Sequence, residues 1–190
     1  GRFEWEYPGL LSMQCLALYR DNGPGLYAAC DDTGARAKRF AVFGHAEKAL
    51  SLMVQRGVSR EAFGRKLAWL GGNVEHISRA RIDIEAMRLM VLKAAKAMDV
   101  LGNREARIWV HMVKALVPER VCQIIDQAIQ MHGALGVSQH TPLARMYAMQ
   151  RTLRLADGPD EVHHLVVGRQ EIGHHESLGD ELNATMVWRS

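Results

Sequence analysis

Eight apolar residues, Val74, Ile77, Ala80, Ile84, Met87, Val91, Ala94 and Met98, follow one another at intervals of three or four. That spacing is the period of an α-helix. It draws a single apolar stripe along a helix of about 26 residues, roughly 39 Å at 1.5 Å per residue. Arg79, Asp83, Arg88 and Lys93 fall mainly off the stripe. Gly102 then supplies a helix stop and Asn103 a cap for the next helix, which runs to about His132. Its inward residues are Ile108, Met112, Ala115, Cys122, Ile125 and Ile129. Pro118 lies inside it, and a proline removes one backbone bond and crowds the preceding turn, so a kink is expected near Leu116.

Glycine and proline punctuate the rest. A first helix covers about His45–Arg56 and stops at Gly57, and Val58–Gly72, with Gly64, Gly71 and Gly72, reads as a loop. Gly133 and Gly136 end the second long helix. Thr141-Pro142 restarts one, a capping threonine followed by proline at the first helical position, which continues through Met146 and Leu153 to about Ala156. Asp157-Gly158-Pro159 breaks it. A last helix begins at Pro159 with Asp160 and Glu161 in its first turn and ends near Ile172. No alternating run occurs between 44 and 172, so the expected fold is all-α, an up-and-down bundle of about five helices. Residues 1–43 form an irregular extension, 44–172 the helical domain, and 173–190 a polar tail.

Several classes of function are excluded by what the chain lacks. The 24 basic and 21 acidic residues leave a net charge of +3, spread without the basic stripe that nucleic acid requires. Cys15, Cys30 and Cys122 form no CxxC pair, against a disulfide framework or a thiolate zinc site. Apolar runs such as Leu89–Leu92 fall far short of the roughly 18 residues of a membrane span. Glu4 and Glu6 precede the first apolar patch, where a secretory signal would carry basic residues; a soluble intracellular protein, or a piece of one, is expected. There is no GxSxG, HExxH, Walker loop or GxGxxG. Nine histidines invite a metal reading. Neighbours such as His163-His164 and His174-His175 point about 100° apart on a helix, so surface histidines and no metal site are expected. The spacing of the ten methionines fits core filling rather than a binding groove.

Two loops carry chemistry. In Ser59-Arg60-Glu61-Ala62-Phe63-Gly64-Arg65 an arginine fork suited to an anion lies three residues before an aromatic that could cover a flat ring. In Asp157-Gly158-Pro159-Asp160-Glu161 a carboxylate stands just ahead of a helix N-terminus, where it serves either as a cap or as a reactive group.

Arg60-Glu61-Ala62-Phe63-Gly64, Gln130-Met131-His132-Gly133-Ala134-Leu135-Gly136 and Leu155-Ala156-Asp157-Gly158-Pro159-Asp160-Glu161-Val162-His163, in that order, resemble the C-terminal helical domain of the acyl-CoA dehydrogenase family. The likeness covers about Gly44 to Ile172, and the ADGPDEVH segment is similar to family members 10 and 11. The resemblance implies FAD held between an α/β half and the bundle, and oxidation of an acyl-CoA thioester to its trans-2-enoyl form. It assigns the α-proton to Asp157, one methylene shorter than the glutamate of most relatives. Cofactor contacts fall to Arg60, Phe63, Gln130, Gly133, Ala134, Gly158 and Glu161, with Ala134 where many relatives carry a second glycine. It further implies an electron-transferring flavoprotein as acceptor and a homo-oligomer, dimer or tetramer, in which the first two loops reach the neighbouring subunit's cofactor. The implied location is the mitochondrial matrix, or else the peroxisome, in a eukaryote and the cytoplasm in a bacterium. Residues 1–43 resemble neither of the family's other two domains. That leaves open a non-catalytic helical module that pairs with full-length subunits.

Overall fold

The computed structural model describes residues 42–185, and their side chains except at 103 and 179–185. Cys15, Cys30 and the expectations for residues 1–41 and for the Asn103 cap lie outside the described residues. The elements are α1 (Val42–Ser59), β1 (Glu61–Ala62), β2 (Arg65–Lys66), a 3-10 turn (Leu67–Trp69), α2 (Asn73–His132), a second 3-10 turn (Gly133–Val137), α3 (Leu143–Thr152) and α4 (Asp160–Thr185). α2 is interrupted at Gly102, whose φ of 78° and ψ of 170° are not helical. It is therefore two rods, 73–101 and 103–132. They run antiparallel: Arg120 approaches Asp83 at 4.0 Å, and Lys93 Nζ lies 5.1 Å from the centre of the Trp109 ring. The pair nearer Gly102 is also the nearer in sequence, as in a helical hairpin. Five helical rods and one two-stranded ladder make the fold all-α.

The predicted stripe forms the core. Ala80, Ile84, Met87, Val91 and Ala94 are buried against Ala46, Leu50 and Met53 of α1 and Val113, Val121 and Ile125 of the second rod. Met53, Met87, Met131 and Met146 fill core positions. Val74, at the start of the stripe, is exposed. Gln150 of α3 is fully buried, its amide nitrogen 2.6 Å from His45 Nδ1 of α1.

Several local expectations are corrected. Gly57 does not stop α1 but lies buried within it. A Cβ there would stand 2.9 Å from that of Ala68, so the glycine serves a close approach between α1 and the first 3-10 turn. The 58–72 segment is not all loop but contains a hairpin, with Glu61 opposite Lys66 and Ala62 opposite Arg65. Thr141 does not cap α3; its hydroxyl lies 3.3 Å from Leu135 O, and Pro142 takes the cap position. α3 ends at Thr152, followed by turns. Pro118 lies inside the second rod with helical φ and ψ, the backbone that a helix kinked at proline also keeps. α4 continues well past Ile172, because polar composition opposes burial but not helix formation, and no proline intervenes. Residues 168–178 are exposed on every face. Among the described residues no helix is long and apolar enough to cross a membrane.

Candidate functional site

The three sequence motifs occupy three places. The first is the hairpin tip. Phe63 and Gly64 form a two-residue turn with φ of 51° and 71°, positive at both central positions as in a type I′ turn. Glycine and asparagine suit that geometry and phenylalanine does not, yet Phe63 stands 97% exposed at the tip. The hairpin's base is tied down. Leu67 N donates to Arg60 O at 2.8 Å, and Asn73 Nδ2 to Leu67 O at 2.7 Å. The Arg60 side chain is exposed, and its guanidinium makes no hydrogen bond or ion pair among the described residues.

The second place is the end of α2. Gln130, Gly133 and Ala134 are exposed there. Gly133 takes φ of 63° as the helix ends, and its N–H closes back on Gln130 O and Ile129 O. Gly136 is required for a different reason: a Cβ there would stand 2.6 Å from Ile129 O. The motif's two glycines thus turn the chain and fold it against the last turn of α2. The third place is the turn between α3 and α4. Asp157 is exposed at φ of 56°, Gly158 follows at 99°, and Glu161 is exposed in the first turn of α4. Asp157 and Phe63 are the two non-glycine residues with positive φ among the described ones, and both belong to sequence-assigned motifs. No hydrogen bond or ion pair joins the hairpin tip to the other two places among the described residues.

The Asp157 carboxylate accepts no hydrogen bond from the start of α4 among the described residues, so capping does not explain it. At the start of α4, Asp160 accepts from Arg154 Nε at 2.5 Å. Beneath the turn lie three side chains that residue type alone placed outside. Lys114, 3% exposed, donates from Nζ to Leu153 O and, at 2.8 Å, to Ala156 O. Burial pushes its ammonium below the usual lysine value, opposed by the carboxylates of Asp157 and Asp160. His163 is also 3% exposed, which corrects the expectation of a surface histidine; its neighbour His164 is exposed, as are His174 and His175. His163 Nδ1 lies 2.9 Å from His111 Nδ1, a spacing at which one ring donates and the other accepts. Burial and then the Lys114 charge hold His163 below the usual histidine value, against the neighbouring backbone of Gly158 and Asp157. Burial first, then His163 and Arg107, lowers His111 likewise. The signal for Lys114 was present in sequence: it is the one charge in the apolar stretch 108–118, IWVHMVKALVP. Among the described residues no three histidine, cysteine, aspartate or glutamate side chains gather as a metal site.

Comparison with known proteins brings these places under one description. The family model for the acyl-CoA dehydrogenase C-terminal domain matches residues 33–172. Acyl-CoA dehydrogenase family member 11 of Rattus norvegicus is 51% identical over 129 residues, 68% of this chain and 17% of its own length. The acyl-CoA dehydrogenase homologue FadE2 of Mycobacterium tuberculosis is 49% identical over 134 residues, 70% of this chain and 33% of its own. A solved structure from Mycobacterium abscessus, assigned to the acyl-CoA dehydrogenases, superposes with a TM-score of 0.69 at 47% identity, covering 70% of this chain and 33% of that one. The chain therefore spans a third or less of the length of these relatives.

Proposed function

The chain belongs to the acyl-CoA dehydrogenase family, as its C-terminal helical domain, and from that premise we propose that it contributes the catalytic base and part of the cofactor site to a FAD-dependent oxidation of acyl-CoA thioesters. The observation that carries the proposal is Asp157: an exposed carboxylate, in left-handed backbone, on a turn braced from within the bundle. A non-glycine residue held in that region stores strain that the surrounding structure must maintain, as is common at reactive sites. Asp157 accepts the α-proton of the thioester at a carboxylate oxygen. The transfer needs a heavy-atom approach of about 3 Å, so the shorter aspartate draws the substrate or the backbone closer than a glutamate would.

The residues present fit FAD. A flavin carries a pyrophosphate and a flat apolar ring, and the hairpin offers a guanidinium without a partner among the described residues beside an uncovered aromatic. Arg60 pairs with the pyrophosphate and Phe63 covers apolar surface. Gln130, Gly133 and Ala134 offer an exposed amide and a backbone approach free of large side chains, with Gly158 and Glu161 flanking the base. Bound FAD would supply the hydride acceptor for the β-carbon, and an electron-transferring flavoprotein the onward path for electrons.

That no hydrogen bond or ion pair joins the hairpin to the Asp157 turn among the described residues supports a site completed by another domain or subunit. So do exposed Ile82, Leu89 and Val100 on the first rod of α2 and Leu165 and Ile172 on α4, which suit a dimer or tetramer. Asp157→Asn in the FAD-loaded enzyme that carries this domain tests the assignment. Asparagine also tolerates left-handed backbone, so FAD and acyl-CoA should still bind, while substrate bleaches the flavin at least about 10²-fold more slowly. Stopped-flow reduction at the wild-type rate would remove the catalytic role and leave the bundle as an assembly module.

A further inference from the structure

We propose that Lys114 is the positioning residue of the Asp157 turn, its buried ammonium fixing the backbone that presents the carboxylate to substrate. This rests on Asp157 being the base. A lysine normally carries its charge out to water along its flexible stem. Lys114 does the opposite. It sits in the middle of the second rod of α2, buried among apolar neighbours, and spends its donors on two backbone carbonyls of another segment.

The choice of carbonyls matters. Leu153 follows α3 directly, and a cation at the last carbonyls of a helix is ordinary capping. Ala156 is three residues further on and belongs to no helix. Its carbonyl is part of the peptide unit that joins it to Asp157, so holding that oxygen fixes the plane from which the φ of Asp157 is measured. Asp157 takes φ of 56°, a conformation that disfavours a residue with a Cβ and needs support from its surroundings. Support comes on the other side too. A Cβ at Gly158 would stand 3.4 Å from His163 Nε2, so the buried ring sits directly beneath the second half of the turn. Arg154 and Asp160 join its two ends at 2.5 Å.

The charged and titratable groups around the ammonium are Asp157 and Asp160 from the turn and α4, and His163 from α4. Lys114 hydrogen-bonds to the backbone and not to the Asp157 carboxylate. The base is held in place without being tied up in an ion pair.

Hydrogen exchange in this chain reads the brace directly. The amides of Arg154, Leu155 and Ala156 close the turn onto Arg151 O and Thr152 O at 2.9–3.2 Å. In Lys114→Met these amides should exchange at least about tenfold faster, while core amides such as those of Ile84 and Val121 keep their wild-type rates. If the apolar variant does not fold, Lys114→Gln carries the same test, since its amide is neutral and one bond shorter. In the FAD-loaded enzyme the variant that folds should lose at least about tenfold in kcat at unchanged KM and FAD retention, because a small misplacement of a base slows the step without altering binding. Unchanged exchange at 154–156, or equal acceleration throughout the bundle, overturns the proposal. Should Asp157→Asn abolish turnover while the Lys114 variant keeps full kcat, the positioning role fails alone. Should Asp157→Asn turn over at the wild-type rate, the assignment of the base fails, and the positioning role with it.

Discussion

The Asp157 turn and the Phe63 hairpin pose the same physical problem and meet it differently. Each holds a non-glycine residue in left-handed backbone, and each exposes that residue. Under the Asp157 turn lie a buried lysine, the buried His163 paired with half-buried His111, and a short Arg154–Asp160 contact, so the domain itself maintains the strained residue. Beyond its base, the hairpin has two residue pairs and an exposed Lys66–Glu61 contact, and a ladder that short is marginal in water. Among the described residues no hydrogen bond or ion pair supports Phe63 at its tip. One region is braced by its own bundle; the other, under the proposed function, waits on a cofactor held partly by another domain or subunit. That is the expected division when a domain supplies the reacting group itself but only the outer wall of a cofactor site.

The sharpest way to break the contrast, after removal of the base, is at Arg60. Arg60→Ala in the FAD-loaded enzyme should weaken FAD retention by about 1.5–3 kcal/mol, the usual loss for a charge-assisted hydrogen bond. Helical content should stay constant, because Arg60 follows α1 and its side chain has no partner among the described residues. Reduction in the fraction that still carries flavin should proceed at the wild-type rate, since the Asp157 turn is braced independently. Equilibrium dialysis showing unchanged FAD affinity would return the hairpin to a structural role. Slowed reduction in the loaded fraction would show that the two regions are coupled after all.

What could be read in advance divides along the same line. The stripe from Ile77 to Met98, the stop at Gly102 and the break at 157–159 are set by period and backbone chemistry, which local sequence records directly. The three motifs were likewise visible, because each is a short local string. The hairpin escaped because strands of two residues are too short to show alternation. Gly57 looked like a stop because a glycine needed for close packing and one needed for positive φ are the same letter. Lys114 stands out in the sequence as the one charge of an apolar stretch, but what it holds, like the pairing of His111 with His163, is tertiary. Each lies opposite a partner about 40 or 50 residues away, and residue type alone places lysine outside.

The histidine pair offers a smaller test confined to the turn. His111 and His163 are both held below the ordinary 6.5, so the folded protein keeps them neutral where the unfolded chain would take up protons. Their contribution to stability is therefore full above pH 6.5. It falls as pH drops through 6.5 toward the lowered folded values, and changes no further below them. His45, lowered by burial beside Gln150, acts in the same sense, so the slope alone does not isolate the pair. The difference does. Thermal melts between about pH 8 and pH 5 should show a shallower acid loss for His163→Gln than for the wild type. Hydrogen exchange in 61–66, which contains no histidine, should follow the same pH course in both proteins. An identical acid slope in the two proteins would mean that the pair does not titrate on unfolding.

The smallest expected effect falls at Phe63. Left-handed backbone disfavours an ordinary residue by roughly 1–2 kcal/mol, and asparagine is among the residues that adopt it most readily, including in two-residue hairpin turns. Phe63→Asn should therefore relieve part of that strain. The gain, up to about 1 kcal/mol, would appear as slower amide exchange at Arg65 and Leu67, the ladder amides that face Ala62 and Arg60, more than as a higher melting temperature, because the hairpin is a small part of the structure. If the ring is there to cover a flavin, the same substitution should weaken FAD retention in the loaded enzyme even as the hairpin becomes better ordered. Opposite signs in the two measurements are what a strained binding residue predicts, and a purely structural one would move neither in that way. An asparagine variant with a firmer hairpin and unchanged FAD affinity would leave the strain at Phe63 without a purpose. The contrast with the Asp157 turn would then reduce to one of burial.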